Sequence, residues 1–235
     1  MARLARVVAV GVPHHVTQRG NARQVVFSTD ADRLVYLDLL RRNCALHHLA
    51  VVGYCLMSNH VHLIVIPRAS QSLPLALKHA HGRYAVYFNA HSASSGHLWQ
   101  GRYYSCPLDE THFWAALRYT ELNPVRASIV AQPDDYAWSS AAAHCGSRPD
   151  EWLQMTPWFV SWTPTAWREY LGALGSERDA AAVRAHTHTG RPLGGTDFVA
   201  RLEKVLNRRL APAKGGRPAK PEVRTEQQVF RFSQP

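Results

Sequence analysis

Two apolar runs, Leu49 to Leu56 (LAVVGYCL) and His60 to Ile66 (HVHLIVI), separated only by Met57-Ser58-Asn59, constrain this 235-residue chain more than any other feature. Both are rich in β-branched residues and of strand length, and the connection is short enough for an antiparallel hairpin. The second run is fit for the inside of a sheet, yet it carries two histidines two residues apart. Side chains alternate along a strand, so His60 and His62 share one face and Val61 takes the other. Two neighbouring imidazoles can converge on one metal ion. Taken alone, such a triplet more often hydrogen-bonds at a sheet edge.

The rest of the chain supplies partners for that hairpin. His14 to Gly20 (HHVTQRG) reads as a strand closing on a turn, and Asp30 is placed to cap a helix with Leu34, Leu37 and Leu40 at helical spacing, ending near His47. The pattern Leu73, Leu77, Ala80, Tyr84, Phe88 predicts a helix over 72–89, and Leu98 to Pro107 reads as extended. A helix beginning near Asp109 and stopping before Pro124 turns Phe113, Ala116, Leu117 and Thr120 to the core. The order βαββαβα predicts an α+β, ferredoxin-like antiparallel sheet with helices on one face. After about Arg148 the composition shifts: Trp152, Trp158, Trp162 and Trp167 precede two expected helices, 165–174 and 196–210. The expected organisation is a main domain over 1–148, a small helical C-terminal region over 149–210 and a basic Gly/Pro-rich tail over 211–235.

Charge narrows the partner. Lys and Arg number 27 against 17 Asp and Glu, a net charge of +10, which favours a polyanion through counterion release. From Arg201 to Pro235 nine Lys/Arg face three Asp/Glu, and the tail contains Lys214-Gly215-Gly216-Arg217-Pro218, similar to an AT-hook core reaching into a minor groove. Cys44, Cys55, Cys106 and Cys145 form no CxxC pair and are expected as reduced thiols of a cytoplasmic protein. No segment approaches the ~18 apolar residues of a membrane span.

In the 109–123 helix, Tyr119 and Asn123 lie one turn apart on one face. Tyr119 is either a nucleophile or a buried aromatic with its hydroxyl satisfied; Asn123 offers an amide oxygen that can join the two histidines around an ion. A nearby cation makes a phenol a better nucleophile towards phosphate.

The blocks PHHVTQRGNARQVVF, MSNHVHLIV, HLWQGRYYS, LRYTELNPVRASIV and DDYAWSS, spread in that order over roughly residues 11 to 145, resemble the single-tyrosine transposases of the HUH superfamily, in particular the branch associated with repetitive extragenic palindromes (REP). The resemblance implies the HUH nuclease fold, His60 and His62 as metal-binding residues, Tyr119 as nucleophile and Asn123 as the residue assisting the metal. The implied cofactor is Mg or Mn; two imidazoles alone suit zinc equally well. The implied activity is cleavage and rejoining of single-stranded DNA at palindromic hairpins through a 5′-phosphotyrosine, without a nucleotide cofactor, by a protein that tends to be a monomer. Arg19, Arg23, Arg102, Arg126 and Arg217 are candidate phosphate contacts. His15 is a candidate hydrogen-bond donor behind the metal pair or a residue of the DNA path, and Trp99, Tyr103 and Tyr104 are candidates for base stacking. The competing expectations are a domesticated hairpin-binding protein without catalysis, and a replication initiator or relaxase.

Overall fold

Four strands form one antiparallel sheet in the order β2-β3-β1-β4, with β1 at His14–Arg19, β2 at Leu49–Met57, β3 at His60–Pro67 and β4 at Tyr104–Pro107. The structure, a computed structural model, describes residues 6–173 and 177–211. The hairpin forms as expected: Met57 pairs with His60 around the turn Ser58-Asn59, and the register slips between Val51 and Gly53, where a bulge bends β2. Strand β1 inserts between β3 and β4, pairing Thr17 with His62 and with Tyr104.

The two crossover helices, α1 (Asp30–Leu46) and α2 (Ser72–His91), pack on one face against Val16, Leu56, Val61, Leu63 and Val65. Helix α1 starts one residue earlier than expected. Thr29, not Asp30, is the cap: its hydroxyl accepts from Asp32 N at 3.2 Å, and the Asp32 carboxylate accepts from Thr29 N at 2.8 Å.

The expectation of helices on one face holds for α1 and α2 alone. Helix α3 (Glu110–Glu121) lies on the opposite face, where Phe113, Ala116 and Leu117 cover Val52, Ile64 and Ile66. Asp109 caps it, accepting from His112 N at 2.9 Å. Gly53, beside the bulge, allows this approach, since a Cβ there would run into the Leu117 side chain and come within 3.1 Å of Ser140 Oγ. The expected strand 98–107 shortens to β4 because Gly101 sits at φ +149°, leaving Trp99 with a single bridge to Gly20.

The chain continues over the α3 face through the short helices α4 (Asn123–Arg126), α5 (Ala141–His144) and α6 (Thr156–Ser161), then α7 (Pro164–Gly172) and α8 (Glu177–Thr189), while α9 (Thr196–Leu206) packs Leu202 with Val7 and Ala9 in a separate small cluster. Trp158, Trp167, Leu171, Ala180 and Val183 join the same buried cluster as Phe113 and Leu117. Helix α8 has no counterpart among the sequence-based expectations. Arg217 and the AT-hook-like segment lie outside the described residues.

Candidate active site

Because β1 and β3 are paired in register, His15, Thr17, Arg19, His60 and His62 stand on one face of the sheet. Helix α3 crosses that face and presents Tyr119 to it. The His60 and His62 ring centroids are 4.9 Å apart, and the Tyr119 ring meets the His62 ring edge-on at 5.4 Å and that of His15 at 5.8 Å. The two histidines and the tyrosine singled out in the sequence thus converge.

Hydrogen bonds orient the imidazoles from behind. His60 Nδ1 lies 2.6 Å from Asn59 Oδ1, an acceptor, so Nδ1 carries the proton and Nε2 the lone pair. His62 Nδ1 lies 2.9 Å from His15 Nε2, and His15 Nδ1 lies 2.6 Å from Thr187 Oγ1 of α8. Burial lowers all three pKa values, to about 3 for His15, to about 4 for His60 with help from Arg19, and well below the usual range for His62, where His60, His15, Arg19 and Arg126 add to the effect. These imidazoles are neutral at physiological pH, the state in which histidine is a metal ligand.

The site opens into a cavity of about 420 Å³ lined by His15, Thr17 and Arg19 of β1, by His62 and Tyr119, by Arg23, Gln100 and Tyr104, and by Arg184, Thr187 and His188 of α8. Three of these residues are arginines and none is acidic, so the cavity suits an anion. Tyr104 also stacks on His188 with ring centroids 4.9 Å apart.

The remaining expected residues divide. Arg19 and Arg23 line the cavity. Arg126 sits behind it, its guanidinium 4.7 Å from the Tyr119 ring centre and donating to Tyr119 O at 3.1 Å. Arg102 lines a neighbouring hollow of about 550 Å³ that shares Gln100 with the cavity. Trp99 is committed to the core, its Nε1 donating to His81 O at 3.0 Å, and Tyr103 is buried under the Arg6 guanidinium.

Asn123 departs from its expected role. Its Nδ2 donates to Tyr119 O at 2.8 Å and Thr120 O at 3.3 Å, and it does not line the cavity. Helix α3 ends at Glu121, so Asn123 meets carbonyls that have no partner within the helix, and its amide satisfies them. Among the described residues no group of three or more His, Cys, Asp or Glu is arranged to hold an ion. The donors that fit a cation are the two imidazoles, a set that leaves the other positions to substrate and solvent. Arg184, Thr187 and His188 were not anticipated; the only signal for them is their i, i+3, i+4 spacing.

Comparison with known proteins supplies a family for this geometry. Residues 10–123 match the family profile described as "Transposase IS200 like". Those residues are just under half of the chain, and over them it is similar to the IS200-like transposases. The match supports a transposase role, that of an enzyme that processes DNA. Among solved structures, a REP-associated tyrosine transposase bound to a REP hairpin superimposes with a TM-score of 0.51 at 16% identity, over 60% of this chain and 82% of the other. That likeness shows a shared fold. A candidate transposase from Deinococcus radiodurans R1 gives a TM-score of 0.36 at 19% identity, over 55% of this chain and 92% of the other. No curated protein matches the sequence. No described helix of the chain is long and apolar enough to cross a membrane.

Proposed function

We propose that the chain is a metal-dependent, single-tyrosine transposase of the REP-associated type, which cleaves and rejoins single-stranded DNA at palindromic hairpins through a 5′-phosphotyrosine. The observation that carries this reading is the packing of Tyr119 edge-on against His62, with His60 alongside, on the wall of an arginine-lined cavity. A hairpin-bound structure of the same fold supports hairpin DNA as the partner.

His60 and His62 would hold the cation through their Nε2 atoms. When bound, Mg or Mn neutralises charge on the phosphate under attack. Arg19, Arg23 and Arg184 hold the strand by its phosphates in the cavity. The Tyr119 oxygen attacks phosphorus and loses its proton, the P–O3′ bond breaks, and the departing 3′ oxygen takes up a proton to become a hydroxyl. The 5′ side stays esterified to Tyr119. One phosphoester replaces another, so a 3′-hydroxyl can reverse the step and join new DNA without ATP.

The test is incubation of the purified protein with labelled hairpin-bearing single strands and Mg2+ or Mn2+. A covalent protein–DNA adduct forms with the wild type and is lost in Tyr119→Phe. Absence of cleavage and adduct with every palindromic strand tried would sink the reading.

A further inference from the structure

Helix α8 lies outside the residues that define the family, yet one of its faces walls the catalytic cavity. Thr187 on that face is 1% exposed, and its Oγ1 lies 2.6 Å from His15 Nδ1 and 3.3 Å from Cys106 Sγ. His15 in turn reaches His62 Nδ1 through Nε2 at 2.9 Å. Strand β1, strand β3 and helix α8 are thereby joined in one buried chain of hydrogen bonds.

A neutral imidazole has one N–H and one lone pair, which leaves this chain two self-consistent arrangements. In one, Thr187 donates to His15 Nδ1, His15 Nε2–H donates to His62 Nδ1, and the His62 proton stands on Nε2, where it blocks a cation. In the other, His62 Nδ1–H donates to His15 Nε2, His15 Nδ1–H donates to Thr187 Oγ1, and the Thr187 hydroxyl turns to Cys106 Sγ. Only this second arrangement leaves a lone pair on His62 Nε2.

We propose that Thr187 is a positioning residue that sets the cation affinity of His62 from α8, by accepting the His15 proton and so fixing both histidine tautomers. The proposal rests on the reading of His60 and His62 as the cation ligands. Without the Thr187 oxygen both arrangements lose a bond at His15 Nδ1, but the one a cation needs strands a buried N–H where the other strands only a ring lone pair, and the larger cost of the orphaned donor weighs against the bound state.

Mn2+ is titrated into the full-length protein without DNA, and free Mn2+ is read by electron paramagnetic resonance for the wild type, His62→Ala, Thr187→Val and Thr187→Ser. Thr187→Val is expected to bind Mn2+ about tenfold more weakly or worse, while Thr187→Ser, which keeps the hydroxyl, stays near wild type. Wild-type affinity in Thr187→Val, with affinity lost in His62→Ala, overturns the Thr187 role and leaves the ligand reading standing. An unchanged His62→Ala overturns the ligand reading itself. Histidine ring 15N spectra of the wild type with Mg2+ give an answer even if Thr187→Val does not fold: a proton on His62 Nδ1 is expected, and one on Nε2 refutes the proposal.

Discussion

Replacing Glu121 with alanine will unlock the helix that carries Tyr119. Glu121 lies two residues beyond Tyr119, and its side chain is fully buried. Its Oε1 accepts from Ser140 Oγ at 2.6 Å and lies 2.5 Å from His144 Nδ1, while Oε2 accepts from Trp167 Nε1 at 2.8 Å. One carboxylate therefore ties α3 to the end of the loop at Ser140, to α5 and to α7. Truncation leaves Ser140, His144 and Trp167 without that acceptor in a dry interior. Stranding one buried polar group costs about 1–3 kcal/mol, and His144 and Trp167 lose their acceptor together. We expect a loss of about 4 kcal/mol, and at roughly 2–4 °C per kcal/mol for a chain of this size the melting midpoint falls by about 8–16 °C. Glu121→Gln keeps one acceptor oxygen and should lose about half as much. Urea and thermal unfolding of the three proteins at one pH provide the measurement. If Glu121→Ala unfolds within about 1 kcal/mol of the wild type, below the cost of a single stranded group, the cluster does not anchor α3 and the argument is wrong.

Burial lowers the pKa of His14 to about 4 and of His81 to about 3, from 6.5. The unfolded chain then binds more protons than the folded one below about pH 6.5, and stability falls as pH drops from there towards about 4. At about pH 5 each group contributes a loss of about 2 kcal/mol relative to about pH 8; urea unfolding at the two pH values measures it, and His81→Gln should flatten the dependence. Gly53→Ala should destabilise by about 1–3 kcal/mol as the new methyl forces Leu117 aside, and a stability equal to wild type would mean that α3 does not need the bare backbone at the bulge. Arg19→Gln should reduce the salt dependence of single-strand binding by about 0.7 in log–log slope if the guanidinium contacts one phosphate; an unchanged slope removes Arg19 from the DNA path. His60→Ala and His62→Ala should abolish adduct formation while hairpin binding in a gel-shift assay persists.

The range of the forces involved decides how much of the fold is readable in the sequence. The hairpin is legible because β-branched runs and a short turn act over a few residues, and the convergence of His60 with His62 follows from strand geometry alone. The same strand carries a further signal. It is apolar at Val61, Leu63 and Val65 on one face and at Ile64 and Ile66 beyond the two histidines on the other, so both faces need a cover. That pattern foretells α3 opposite α1 and α2, and reading the helices onto one face overlooks it.

Other features depend on distant partners. The burial of Glu121 is decided by Ser140, His144 and Trp167, between 19 and 46 residues away, and nothing within α3 announces it. Helical spacing relates Tyr119 to Asn123, but the place where α3 ends decides what Asn123 does, because a helix end makes its own demand on a nearby amide. Helix α8 is hidden for a third reason. Its buried residues, Ala180, Val183 and Thr187, are small, so the apolar stripe that marks a helix in sequence is faint. Small residues there let α8 come close to β4 and α3, and that closeness brings Arg184, Thr187 and His188 into the cavity. The weakness of the sequence signal and the completeness of the site thus have one physical cause: bulkier residues on that face would make the helix easier to read and would hold it too far from the sheet for Thr187 to reach His15.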